Sequence, residues 1–136
     1  MGLGRSSRQE AGFTLLELLI VIAIIAILAG ILITALHGAR KRSFDLAALG
    51  YLREAMHAQA LYSLDTEEYA DNLGDLLNKG LRPVPRGIEI RVLSGGTTYC
   101  MVASHHGGTR WYAATPEKGP YRTSVPAWDP APSACP

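Results

Sequence analysis

The sequence predicts an α+β fold in which one long N-terminal helix packs on an antiparallel sheet of three or four strands. Residues 18–36 carry no charge and are almost entirely aliphatic, and residues 39–64 hold no proline. In residues 88–93, Ile88, Ile90 and Val92 alternate with Glu89, Arg91 and Leu93, and further strand-forming stretches follow between glycine-containing turns. One long helical pattern followed by consecutive short strands is typical of an α+β domain.

Composition restricts the class of protein. The 136 residues include 13 Lys and Arg against 12 Asp and Glu, a formal net charge of +1. A chain of this length has room for one compact domain. The balanced charge excludes a strongly basic nucleic-acid binder.

The uncharged segment is long enough to cross a bilayer. A helix over residues 18–36 would measure roughly 28 Å, close to the thickness of a hydrocarbon core. A secretory signal peptide has an apolar region of only about 7–15 residues, which ends in a small-x-small cleavage site. This segment runs instead into charged, helix-forming sequence, so we expect it to be retained.

A single carboxylate, Glu17, lies at the start of this apolar segment. A charge costs about 2.5–3.5 kcal/mol at the centre of a membrane helix and less near the interface. Two interpretations follow: an interfacial carboxylate that reaches water, or a functional group that has a partner.

Residues 12–19, GFTLLELL, follow a short polar leader that contains Arg5 and Arg8. This pattern resembles the class III signal of type IV pilins, in particular type IVa prepilins. In that family the prepilin peptidase cuts after the glycine and methylates the new amino terminus. The resemblance implies cleavage between Gly12 and Phe13 and N-methylation of Phe13.

The spacing of Glu17 then has a physical reason. Once the leader is removed, Phe13 carries a cationic amine, and a carboxylate one helical turn away can pair with the amine of its own or a neighbouring subunit. An unpaired charge is expensive where the dielectric is low. We therefore expect Glu17 to set the register of assembly.

The resemblance also implies an organisation of the chain as a pilin fold. Residues 1–12 would be the cleaved leader, and residues 13–38 a protruding helix half that spans the membrane and later forms the filament core. Residues 39–136 would be the head domain. Within it, a disulfide would close the variable D-region, residues 100–135.

The helix is predicted to continue to about Leu64, some 78 Å in all at about 1.5 Å per residue. Its second half carries an apolar stripe that we expect to contact the head domain. The stripe comprises Leu49, Leu52, Met56, Ala60 and Leu64.

A weak point is predicted within the apolar half. Gly30 and Gly38 each cost about 1 kcal/mol relative to Ala, and β-branched Thr34 lies between them. Pilins commonly have a proline where this chain has Thr34, and the helix around it often melts in the filament. Without that proline, melting here would depend on the two glycines.

A loop with one short helix around residues 72–78 is predicted to precede the sheet. The acidic residues of this loop lack the alternation of an EF-hand, so we expect a solvated surface and no calcium. The predicted strands are residues 88–93, TTYCMVAS, TRWYAAT and a short fourth at residues 120–123.

The two cysteines, Cys100 and Cys135, indicate a disulfide in an oxidising compartment. Such a bridge would contribute about 4 kcal/mol in the loop-entropy model.

The orientation of the helix in the membrane is not given by charge. The three basic residues at 40–42 outnumber the two arginines of the leader, so charge alone would keep the C-terminal domain inside. The cysteines place the C-terminal domain outside, in an inner-membrane precursor that becomes an extracellular pilus at the cell surface.

Catalysis is not expected. His105 and His106 adjoin two glycines, but adjacent residues seldom point the same way, so we predict neither a metal site nor a cofactor. No triad, phosphate-binding loop or paired-acid pattern is present in the sequence. The chain is predicted not to be an enzyme.

Charge is distributed unevenly over the head. From residue 79 onwards 7 basic residues face 3 acidic ones, whereas residues 39–78 hold 4 basic and 7 acidic residues. The two parts could pair between subunits, or the basic part, with Arg110 and Arg122, could contact DNA. Subunit packing is the favoured interpretation.

The stretch YCMVASHHGGTRWYAATPEKGPYR resembles pilins of the Thermus and Deinococcus group. The sequence thus predicts a pilus subunit for adhesion, twitching motility or natural DNA uptake. The implied partners are copies of itself, the prepilin peptidase, the assembly platform and motor ATPases, the inner membrane, the outer-membrane secretin and, as an open alternative, DNA. The other interpretations are a type II secretion pseudopilin, a minor pilin or a membrane-tethered binding module.

Overall fold

The structure, a computed structural model, describes residues 12–136 and has the predicted α+β class. These residues form α1 (Leu15–Thr66), α2 (Leu73–Asn78), β1 (Ile88–Ser94), β2 (Cys100–His105), β3 (Arg110–Ala114) and β4 (Tyr121–Pro126). The long N-terminal helix is therefore confirmed. The predicted leader, with Arg5 and Arg8, lies mostly outside the described residues.

The described chain forms two compact units, with the boundary after His37. Residues 15–37 of α1 belong to the first unit, and every one of them is exposed. The second unit contains the rest of α1, α2 and the sheet.

In the second unit, α1 packs on the sheet through a face that differs from the predicted stripe. Of that stripe only Leu52 is buried, and Leu64 is 79% exposed. The predicted contact face is therefore right only in part, because Leu52 lies in the core and Met56 packs against it whereas Ala60 is exposed. Small side chains let a helix approach a strand closely, which a count of large apolar residues does not detect. The buried face consists of Ala48, Tyr51, Leu52, Ala55, Ala58 and Gln59.

The sheet is an antiparallel meander in the order β1-β2-β3-β4. Ile90 pairs with Ala103 in β1 and β2, and Val102 pairs with Ala113 in β2 and β3. Side chains alternate between the faces of a strand, so β2 supplies both cores. One core, with Met101 and Ala103, includes α1 residues, whereas Val102 packs with Trp111 and Ala113 in the other.

The connecting loop is held by backbone pairing and by a capped helix. The Asn72 side chain accepts from the Asp75 N–H at 2.9 Å and begins α2. Just before α2, Tyr69 and Gly96 exchange two backbone hydrogen bonds: the Tyr69 N–H donates to the Gly96 carbonyl at 2.7 Å, and the Gly96 N–H to the Tyr69 carbonyl at 2.8 Å. Gly95 lies so close to this loop that a Cβ there would be 2.5 Å from the Asp71 Cα. The predicted glycine turn is thus also a docking point for the loop.

Candidate functional site

The N-terminal end of α1 is closed by a reciprocal pair of side chains. The Thr14 hydroxyl accepts from the Glu17 N–H at 3.2 Å, while Glu17 Oε2 accepts from the Thr14 N–H at 3.1 Å and from the Thr14 hydroxyl at 3.2 Å. This is a capping box, which satisfies two backbone donors that a helix start leaves unpaired. Glu17 therefore has a local role that the sequence analysis missed, although the T-x-x-E spacing signals it.

Gly12 and Phe13 precede the helix and are exposed. Phe13 is 91% exposed, so both residues on either side of the predicted cut are accessible in the free chain. The residues of the leader before Gly12 lie outside the described range. Cleavage and methylation here stay predictions.

The helix that follows exposes a continuous apolar surface. Ile27 and Ile31 are each 68% exposed, and among residues 12–136 α1 is the one helix long and apolar enough to cross a bilayer. A surface of this extent needs lipid or other apolar helices around it. Glu17 lies at its polar end.

The predicted weak point lies within the unbroken helix α1. Thr34 donates its hydroxyl to the Ile31 carbonyl at 2.8 Å, which satisfies this polar group without water. A Cβ at Gly30 or Gly38 would meet nothing within 4 Å in residues 12–136, so packing inside this part of the chain does not require either glycine. Melting at these residues in a filament stays a prediction.

The predicted disulfide is present between Cys100 and Cys135, 35 residues apart. Two further hydrogen bonds hold the C-terminal segment: the Trp111 indole donates to the Asp129 carbonyl at 3.1 Å, and the Tyr121 hydroxyl to the Pro136 carbonyl at 2.8 Å. The segment from Cys100 to Cys135 is therefore closed covalently, and its C-terminal part is anchored on the Trp111 side of the sheet.

The histidine and glycine turn after β2 serves packing. The His105 ring stacks on Phe44 with the ring centroids 4.3 Å apart, and its Nδ1 accepts from the Gly107 N–H at 3.0 Å. A Cβ at Gly107 would be 2.5 Å from the Phe44 ring. Within residues 12–136 no group of three or more His, Cys, Asp or Glu side chains is arranged to hold a metal.

The two arginines predicted to contact DNA or a subunit both lie near Tyr112. The Arg110 guanidinium donates to the Ser124 carbonyl at 2.8 Å, and Arg122 is exposed on β4. The pKa of Tyr112 is raised, first by burial and then by the Asp45 carboxylate, while both arginines act to lower it. The structure thus brings the two guanidinium groups to one region of the head.

Sequence reasoning missed the third cation of this region. Arg42 of α1 and Arg122 of β4 both line a groove beside Tyr112, although they are 80 residues apart in the chain. Nothing in the spacing of the two residues indicates this juxtaposition, because it depends on how α1 lies on the sheet.

An exposed apolar helix with a carboxylate at its start, followed by a small α+β domain closed by a disulfide, defines a subunit of the pilin-like class. The family model of the prokaryotic N-terminal methylation motif matches residues 7–33. The major component PilA4 of the type IV wide pilus of Thermus thermophilus is 45% identical over 130 residues, which cover 95% of this chain and 99% of the relative. The chain belongs to the type IV pilin family, whose members are structural proteins.

More distant similarity links the chain to type II secretion. The core protein G of Aeromonas hydrophila is 34% identical over 83 residues, 58% of each chain. That of Vibrio cholerae is 31% identical over 85 residues, 60% of this chain and 58% of the relative. The similarity to the pilin extends over the head as well, so the pilin assignment is favoured over a pseudopilin.

Proposed function

We propose that this chain is a structural subunit of a type IV pilus, made as a membrane-anchored precursor and polymerised after residues 1–12 are removed. The observation that carries this proposal is similarity to a major pilin over 95% of the chain, head included. The capped apolar helix and the disulfide-closed head are what such a subunit requires. Its role is mechanical, without catalysis of its own.

Processing by the prepilin peptidase would leave Phe13 as a methylated amino terminus. In the capping box both Thr14 donors go to Glu17 Oε2, so among residues 12–136 Oε1 has no donor and can accept from a cationic amine. In the low dielectric of lipid or a filament core, pairing with the amine of an adjacent subunit avoids an uncompensated charge. A subunit would then insert only at the axial offset that joins the two groups.

The precursor would lie in the inner membrane with its head outside, and the assembled protein at the cell surface. The assembly platform, the motor ATPases and the outer-membrane secretin are the partners that such a path requires. Adhesion, twitching motility and DNA uptake are the uses that we propose for the filament.

Intact mass spectrometry of filaments sheared from cells tests the proposal. The expected mass lacks residues 1–12, gains one CH2 unit from methylation and loses the two hydrogens of the disulfide. An uncut chain with Met1, found only in membranes, would instead support a tethered binding module.

A pseudopilin is the second candidate, and the partial similarity to the two core G proteins is the observation that supports it. A processed chain that never leaves the cell envelope, in cells that assemble pili without it, would support the pseudopilin. A processed chain that is a trace component of sheared filaments would identify a minor pilin.

A further inference from the structure

A groove lies beside the second part of α1, where that helix meets β3, β4 and the turn before β3. Its volume is about 480 Å³. It is lined by Arg42, Asp45, Leu46, Thr109, Tyr112 and Arg122.

The groove offers cations that have no carboxylate partner within the described part of the chain. Its one carboxylate, Asp45, accepts from the Thr109 N–H at 2.7 Å and from the Thr109 hydroxyl at 2.6 Å, so it is engaged with the turn. Arg42 and Arg122 are exposed, and neither forms an ion pair within residues 12–136. Exposed guanidinium groups without an ion-pair partner are suited to bidentate pairing with carboxylates.

Exposed carboxylates, opposite in charge to the arginines of the groove, lie at the C-terminal end of α1. Glu67 and Glu68 are exposed and form no ion pair within the described residues. They adjoin the negative end of the helix dipole, where the last turn of α1 holds no basic residue and the nearby Lys79 ammonium is paired with Asp65. This placement is electrostatically unfavourable in a single chain.

The distance between the two features prevents them from meeting within one chain. Arg42 and Thr66 are 24 residues apart in one helix, roughly 36 Å at about 1.5 Å per residue. A second copy displaced by about this distance along the helix axis would bring its acidic turn to the groove. Such a contact joins two different surfaces, so it propagates as an open helical filament.

We infer that the groove between Arg42 and Arg122 receives the Glu67 and Glu68 carboxylates of a second copy of this chain. The contact rests on the proposed function, because it requires a filament. This contact would join the heads of two copies, and it is separate from any contact made by Glu17 and the apolar helix. Leu46, which is 66% exposed, supplies an apolar floor that the partner segment would cover.

Charge reversal in the full chain, expressed in cells, tests the contact. We expect Arg122→Glu and Glu67→Lys each to lower the amount of sheared filament by at least about tenfold, and the double variant to recover most of it. The matched controls are Arg86→Glu and Glu117→Lys, which reverse exposed charges outside the groove and the acidic turn. Both controls should assemble as wild type does.

The level of disulfide-bonded chain in the membrane serves as the folding control for each variant. If a charge-reversal variant does not accumulate in the membrane, Arg122→Gln or Glu67→Gln replaces it. We then expect a smaller loss of sheared filament. Normal filament amounts in both single variants, or no recovery in the double variant, would overturn the inference.

DNA binding by purified filaments distinguishes a groove that contacts nucleic acid from a groove that contacts another subunit. If Arg122→Glu filaments form in wild-type amounts and lose salt-sensitive binding of duplex DNA, the groove binds phosphate and the inference is wrong. If the wild-type chain itself forms no filament, the proposed function fails together with this inference. If the wild-type chain forms filaments and the charge-reversal variants form them in the same amount, the inference is wrong but the proposed function stands.

Discussion

Gln59 pairs with both backbone polar groups of Ala70. Its Nε2 donates to the Ala70 carbonyl at 2.9 Å, and its Oε1 accepts from the Ala70 N–H at 2.8 Å. Both residues are buried, so the amide of a helix side chain replaces the partner strand that Ala70 lacks. This pair joins α1 to the loop that leads into the sheet.

Gln59→Leu should leave the Ala70 N–H and carbonyl buried without partners. At about 1–3 kcal/mol for each of the two unsatisfied groups, we expect a loss of roughly 2–6 kcal/mol in the free energy of unfolding. Thermal unfolding followed by circular dichroism measures it as a Tm roughly 10–25 °C lower. His57→Leu, exposed on the same helix, is the control and should change Tm little; an equal loss there would contradict the assignment.

Gly107→Ala should force the Phe44 ring away, because the new Cβ would lie 2.5 Å from it. Overpacking of this kind costs about 1–3 kcal/mol. In the Phe44→Ala background the added penalty should largely disappear, as a double-mutant cycle in chemical denaturation can measure. Gly50→Ala, where nothing lies within 4 Å in α1, should instead stabilise by about 1 kcal/mol; a stabilising Gly107→Ala would refute the contact.

Reduction of the Cys100–Cys135 bridge should lower the free energy of unfolding by about 4 kcal/mol, because the unfolded chain regains the entropy of a 35-residue loop. The measurement is thermal unfolding with and without reductant. In Cys135→Ser, reductant should have no further effect. A reductant-insensitive wild type would show that the hydrogen bonds from Trp111 and Tyr121 hold the segment alone.

Glu17→Ala should abolish or cripple filament assembly while the precursor stays in the membrane at normal levels. Glu17→Gln separates two causes, because its amide oxygen can still cap the helix whereas it carries no charge. We expect Glu17→Gln to fail in assembly as well, and Thr14→Ser, which keeps the cap, to assemble. Quantities of sheared filament and of membrane precursor give the result, and normal filaments from Glu17→Gln would exclude the ion pair.

Glu67 adopts a left-handed backbone conformation, with φ 62° at the end of α1, where glycine is usual. Glu67→Gly should therefore raise the free energy of unfolding by about 0.5–1 kcal/mol. Denaturant unfolding checks the gain, and Glu68→Gly, which has no positive φ, should give none. Destabilisation by Glu67→Gly would mean that the carboxylate itself supports the head.

Several elements could be predicted because their signals are local. The apolar run and the absence of proline from residues 39–64 predict the long helix, and the strand-forming stretches between glycine turns after residue 88 predict three or four strands. The contact face of α1 could not be predicted, since Ala48, Ala55 and Ala58 carry little hydrophobicity and become important only when a sheet lies against them. The grouping of Arg42 with Arg122 has the same origin, as the two residues are 80 positions apart.

The apolar segment of α1 and the disulfide could be read from the residues alone, because the first depends on neighbours in the chain and two cysteines allow only one pairing. The folded chain was needed to see that Gln59 completes the backbone of Ala70 and that Phe44 requires glycine at position 107. It also decided that two distant arginines line one groove. These relations arise from the packing of α1 on the sheet, where distances between atoms, and not spacing along the chain, set the energy.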